Sequence, residues 1–194
     1  MKKLLLLSFI IASVAACKDG QKDTNATPAA TQVSEVQSDK AGVQGGADTT
    51  AITDVVHSFY KWYDALLNDE KRAIDFIDVK GKYAKVDTAR FAMYSAEMMK
   101  SGFISQAFID NEVVFLKGLE VEWKKNNEDG SEMLTGLDMD TNFCGQDWDI
   151  KMYTTGAIKI DALAADKAKA TVEGSKIELV KESGKWLISK ISCE

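Results

Sequence analysis

Apolar residues first recur at helical spacing in residues 52–67. Ile52, Val55, Val56, Phe59, Trp62, Tyr63, Leu66 and Leu67 fall along one side of a helix, with Asp48, Thr49 and Thr50 offering N-caps. Asn68-Asp69 ends that helix and opens a shorter one, whose apolar side is Ala73, Ile74 and Ile77 and whose end lies near Gly81. A third helix is expected over 88–100, with Phe91, Tyr94 and Met98 on one side and Ser101-Gly102 as punctuation. A fourth, over 104–124, carries Phe108, Phe115, Leu116, Leu119 and Trp123, and Gly118 weakens it by about 1 kcal/mol relative to alanine.

The helical period then stops. Residues 126–149 read as loop, and beyond them the pattern alternates. Ile158, Ile160 and Ala162 form one set, Ala168, Ala170 and Val172 the next, then Ile177 and Leu179, and finally "KWLISKISC". "AADK" and Ser183-Gly184 are the turns between them. Helices first and an antiparallel meander last predict an α+β fold, with N-terminal helices packed on one face of a curved C-terminal sheet.

The N-terminus follows a different logic. Lys2 and Lys3 precede an apolar run over 4–14 and then small residues, the layout of a secretory signal. The run falls short of the about 20 residues that a bilayer-spanning helix needs. Residues 18–49 contain no aromatic, leucine or isoleucine and hold the chain's one proline, Pro28. Such a composition cannot offset its ordering entropy, so it reads as a disordered tether with a typical span of roughly 30 Å. Three segments are therefore expected: 1–16 as signal peptide, 17–50 as the tether with its first cysteine, and 51–194 as a single α+β domain.

Val14-Ala15-Ala16-Cys17 resembles the lipobox of bacterial lipoproteins. That resemblance implies cleavage before Cys17, a diacylglycerol on its sulfur and an acyl chain such as palmitate on its amino group, and multiple chains anchor a protein stably where one does not. Lys18, a residue other than aspartate, implies export to the outer membrane, with the domain facing the periplasm. Of the three cysteines, lipidation uses Cys17 and leaves Cys144 and Cys193. In an oxidising envelope this pair reads as a disulfide, the alternative being two buried thiols. The formal net charge of −6 becomes more negative once Lys2 and Lys3 leave with the signal, which argues against nucleic acid as a partner.

Three longer stretches, "VVHSFYKWYDALL", "NFCGQDWD" and "KATVEGSKIELVKESGKWLISKISC", resemble a bacterial envelope family described as a domain of unknown function and common in small lipoproteins. Its members open on a Phe-Tyr-x-Trp-Tyr helix and close on Gly-Lys-Trp-x-Ile. The layout is also similar to the nuclear-transport-factor-like (cystatin-like) cone. These resemblances imply a fold and a location but no activity.

Candidate chemistry concentrates in "DMDTNFCGQDWD". Asp138, Asp140 and Asn142 match the first alternating ligands of a calcium loop, but Phe143 stands where a glycine is needed and Asp149 where a glutamate is needed. His57, the only histidine, sits beside the apolar stripe of the first helix and reads as a boundary residue. A Cys144–His57 nucleophile would be blocked by oxidation. No catalytic residue, metal site or cofactor is assigned. Binding is the better expectation: the aromatic side chains mostly fill the core, and the candidate binding residues are Tyr60, expected to be exposed, Tyr63, Asp147 and Trp148. The expected role is a non-catalytic binding or accessory module for an envelope protein or component. The alternatives are a small-ligand pocket protein and an immunity-like inhibitor of a toxin or envelope enzyme. In the disulfide-bonded form the acidic stretch acts as a brace, with Phe143 and Trp148 packed inward.

Overall fold

The computed structural model of the protein describes the backbone of residues 39–193 and the side chains of 45–193. The signal peptide, Cys17 and most of the expected tether lie outside the described residues. The architecture is α+β: helices packed against a four-stranded antiparallel sheet. In chain order the elements are α1 (Asp39–Leu67), β1 (Ile77–Asp78), β2 (Lys85–Val86), α2 (Thr88–Lys100), α3 (Gln106–Asn126), α4 (Ile150–Thr155), β3 (Lys159–Leu163), β4 (Lys167–Val172), β5 (Ser175–Glu182) and β6 (Lys185–Cys193).

The sheet is a meander of order β3-β4-β5-β6. Alternation decides its faces: Ala168, Ala170 and Val172, then Ile177 and Leu179, then Trp186 and Ile188 are buried, while their neighbours face outward. The two tight hairpins use residue pairs with positive φ, Glu173-Gly174 at 46° and 84° and Ser183-Gly184 at 50° and 81°. Such paired left-handed residues match the twist of the strands they join. A bulge at Asp161 breaks the β3–β4 register. A second bulge at Ser189 breaks the β5–β6 register, and bulges of this kind bend and twist a sheet. The Ser189 hydroxyl donates to Glu178 O at 3.0 Å, and its carbonyl accepts from Asn111 Nδ2 of α3 at 3.1 Å. The outer edge of β6 is covered where Ile188 N donates to Phe103 O and Ser105 N donates to Ile188 O, each at 2.9 Å. This pairing satisfies an edge that would otherwise be open and seats the start of α3.

α1 begins well before the expected caps. Asp48 is not a cap: its Oδ1 accepts from Lys181 Nζ at 2.5 Å and from Trp186 Nε1 at 2.9 Å, tying the helix to β5 and β6. Thr49 and Thr50 bond back to Gly45 O and Gly46 O within the helix. α2 has the expected bounds, with Asp87 as N-cap accepting from Ala89 N and Arg90 N. The expected helix over 68–81 does not form. Asp75 and Asp78 instead accept from the backbone N–H groups of Ile77 and Lys80, side-chain turns that compete with helix, and Ile77 pairs with Val86 across the β1–β2 ladder. α4 is an element the alternation after 149 did not predict; Asp149 caps it by accepting from Lys151 N at 3.0 Å.

The main core joins the α1 stripe to the buried sheet face through Phe91, Tyr94, Met98, Phe108 and Leu116. A smaller cluster of Ala84, Trp123 and Leu134 packs under the β1–β2 ladder and the far end of α3.

Cys144 and Cys193 are bridged, with their Cα atoms 5.3 Å apart and a sequence separation of 49. The bond ties the irregular segment before α4 to the end of β6. Constraint of the unfolded chain by a loop of this length stabilises by about 4 kcal/mol in the chain-entropy model. Both cysteines should therefore resist alkylation in the native protein until reductant is added, and Cys193→Ser should lower unfolding free energy by up to about 4 kcal/mol. Ready labelling of both thiols without reductant would contradict the bridge.

Candidate functional site

A cavity of about 650 Å³ opens among the end of α1, the turn after it, α2, α3, the 136–142 loop and the end of β6. Its walls are mainly apolar: Tyr63 and Leu66 from α1, Phe76 from the turn, Phe108 and Leu116 from α3. Three apolar lining residues, Leu67, Phe115 and Met139, remain 37%, 43% and 40% exposed, so its mouth is greasy as well as its floor. This size and lining are those of sites that enclose a small molecule.

The loop wall has no regular structure and is held by specific bonds. Asp140 Oδ1 accepts from Asn142 N and Phe143 N, both at 2.8 Å. Asp140 Oδ2 accepts from the Tyr63 hydroxyl at 2.9 Å. Tyr60 donates to Asn142 O at 2.9 Å and Tyr153 donates to Phe143 O at 2.5 Å. The Phe143 ring lies 5.3 Å from Tyr60 and stacks on Trp148 at 4.2 Å. At Gly136, where φ is 78°, a Cβ would stand 2.5 Å from Leu119 Cδ2; glycine there lets the loop approach α3 closely.

One polar group in the wall is incomplete. The carboxyl of Glu112, on α3, accepts from the Tyr94 hydroxyl through Oε1 at 3.2 Å. Its Oε2 is buried and has no hydrogen-bond partner among the described residues. Burial pushes the Glu112 pKa up from 4.5 to about 8; the Tyr94 hydrogen bond opposes that shift and the nearby Asp140 charge adds to it. The group is therefore a neutral acid at neutral pH, able to donate from one oxygen. Burial above all holds the Tyr63 and Tyr94 hydroxyls well above the usual tyrosine range, and the same carboxylates add to it, Asp140 at Tyr63 and Glu112 at Tyr94. An unpaired buried oxygen costs about 1–3 kcal/mol, and perturbed groups of this kind cluster at working sites.

The expected binding residues separate. Tyr63 lines the cavity. Tyr60, expected at the surface, is fully buried. The reason is that α4 and the loop cover a second side of α1, so the buried arc of that helix is wider than one stripe, and the Tyr60 ring lies 4.7 Å from Tyr153. Trp148 is half-buried with its Nε1 donating to Asp64 Oδ1 at 3.3 Å, Asp147 is exposed, and neither lines the cavity. Asp140, read as a possible calcium ligand, is the brace of its own turn. His57 Nε2 meets Gly156 O at 3.0 Å, joining α1 to the end of α4. Glu112 carried a readable signal that the sequence reading passed over: it stands four residues from both Phe108 and Leu116, on the apolar stripe itself.

Comparison with family models, with curated proteins and with solved structures finds no match for this chain.

The raised Glu112 pKa ties stability to pH with a definite sign. The folded protein holds this proton more tightly than the unfolded chain, so the stabilisation is complete below pH 4.5 and is lost as pH rises to about 8. Between about pH 5 and pH 8 the wild type should lose on the order of a few kcal/mol relative to Glu112→Gln, measured by denaturant unfolding at each pH. A stability difference that stays flat across this range would contradict the buried-acid assignment.

Proposed function

We propose that this chain is a non-catalytic binding protein that encloses one small, mainly apolar ligand in the cavity between α1, α3 and the 136–142 loop. The single observation that carries this reading is the cavity of about 650 Å³ with an apolar mouth and one orphaned carboxyl oxygen in its wall. A protein folded for stability alone would fill such a space, because voids cost contacts and unpaired buried oxygens cost desolvation. A ligand with an apolar body restores the first, and one polar group restores the second. This reading favours the small-ligand pocket over the partner-binding module that composition pointed to, since the exposed Asp147 and the stacked Trp148 form no cavity wall.

The lipobox-like Val14-Ala15-Ala16-Cys17 stretch supports a further part of the proposal: the domain is displayed in the periplasm from a lipid on Cys17, at the outer membrane. Anchoring would hold a pocket protein near the membrane, where apolar small molecules partition.

N-phenyl-1-naphthylamine, a neutral apolar dye, should bind the soluble domain with one-to-one stoichiometry and enhanced fluorescence. Ala73→Trp, a change at the exposed rim of the cavity, should abolish that binding while leaving the unfolding midpoint nearly unchanged. Absence of saturable binding, or binding indifferent to Ala73→Trp, would overturn the pocket reading. For the anchor, Cys17→Ser should move the full-length protein from the membrane fraction to the soluble one, and retention on membranes would refute lipidation.

A further inference from the structure

Resting on the pocket reading, we infer that the ligand is an organic cation: an amine with an apolar body, whose ammonium group sits against Glu112 and within reach of Asp140 while its hydrocarbon fills the cavity.

Charge sets the class. Among the described residues, the lining places four carboxyl groups, Asp75, Glu112, Asp138 and Asp140, against one cation, Lys190. Lys190 is solvent-exposed near the end of β6, whereas Glu112 sits in the wall with Oε2 buried and unpartnered. An anionic ligand such as a fatty acid would meet this field with its own charge unfavourably placed. A neutral acceptor would satisfy the Glu112 proton but would leave the surrounding negative field unused. An ammonium group supplies up to three donors, enough for Oε2 and for further acceptors around it.

Aromatic character points the same way. Tyr63, Phe76, Tyr94, Phe108 and Phe115 all line the cavity, and the faces of such rings attract cations, most strongly where water is excluded. Glu112 faces the Tyr63 hydroxyl of α1, the Tyr94 hydroxyl of α2 and Asp140 of the loop, and β6, which also packs on α3, brings Lys190 to the cavity lining. Lys190 is the one positive charge among them and is solvent-exposed. An entering ammonium group would bring a positive charge to the unpartnered Oε2 itself.

The proton balance follows from the chemistry. Free Glu112 is a neutral acid at neutral pH. When the ammonium group arrives, the carboxyl gives its proton to the buffer and the resulting carboxylate pairs with the cation. Nothing is oxidised or reduced, and no bond forms other than hydrogen bonds. Cation binding at pH 7 should therefore release close to one proton per ligand, and binding should carry a smaller proton release as pH rises beyond about 8. A neutral ligand would release none.

The experiment is calorimetric titration of the soluble domain with n-octylamine, 1-octanol and octanoate, three probes of equal chain length and different charge, at pH 7 in two buffers of different ionisation enthalpy. The expected result is tightest binding by octylamine with close to one proton released, and displacement of N-phenyl-1-naphthylamine. In Glu112→Gln, octylamine should lose its advantage over octanol by roughly ten- to a hundredfold while octanol affinity stays near that of the wild type. Binding of octanol or octanoate as tightly as octylamine, or octylamine binding without proton release, overturns the cation assignment and leaves the pocket in place. If neither the dye nor any of the three probes binds, the pocket reading fails and the cation assignment fails with it.

Discussion

The loop between α3 and α4 has to stand as a wall without any ladder of its own, and the hydrogen bonds that tyrosines make to its backbone meet that demand. Tyr60 and Tyr153 reach the carbonyls of Asn142 and Phe143 from two different helices, and Tyr63 takes the free oxygen of Asp140. Each hydroxyl is buried or nearly so, where an unmade bond would cost about 1–3 kcal/mol, so register errors in this loop are penalised at several points together. The Phe143 ring between Tyr60, Tyr153 and Trp148 adds apolar burial to the same few residues. The Cys144–Cys193 bond then closes the wall onto β6. With the wall fixed, the space left between it and α3 has a definite shape.

That space is where the fold departs from the most stable packing available to it. Glu112 occupies a position on the α3 stripe that leucine or methionine could fill, between Phe108 and Leu116. Its neutral form keeps the cost tolerable, because an ionised carboxylate would be far more expensive to bury unpaired. Its raised pKa is the thermodynamic record of that compromise. A residue that lowers stability over the physiological pH range, inside a cavity with an apolar mouth, is what the proposed ligand would complete.

Much of the fold was legible from period alone. Alternation along the segments of residues 158–193 located the sheet, and Ser183-Gly184 located its last hairpin, because side-chain period and positive φ are local properties. α2 was legible through its stripe and the Ser101-Gly102 stop; its Asp87 cap was not. The segment after α1 was misread as helix because its apolar residues have helical spacing, while the turns made by Asp75 and Asp78 and the pairing of Ile77 with Val86 decide its backbone. Tyr60 was misplaced because a single stripe cannot reveal that α1 is covered on two sides, by the sheet and by α4 with its preceding loop. The brace role of the acidic stretch was readable from Phe143, Cys144 and Trp148. The cavity behind it was not, since its walls come from segments spread over residues 63–193. Only Glu112, a carboxyl on an apolar stripe, announced it.

The proposed ligand chemistry turns on Glu112 being a buried neutral acid that ionises only beside a positive charge. Carbon-13 NMR of the glutamate side-chain carboxyls, with Glu112 assigned by comparison with Glu112→Gln, tests it directly. The Glu112 resonance should titrate with a pKa of about 8 in the free protein and report the ionised form at pH 7 once octylamine is bound. A free-protein titration near the ordinary value of 4.5, or a resonance unchanged by saturating octylamine, would contradict the account.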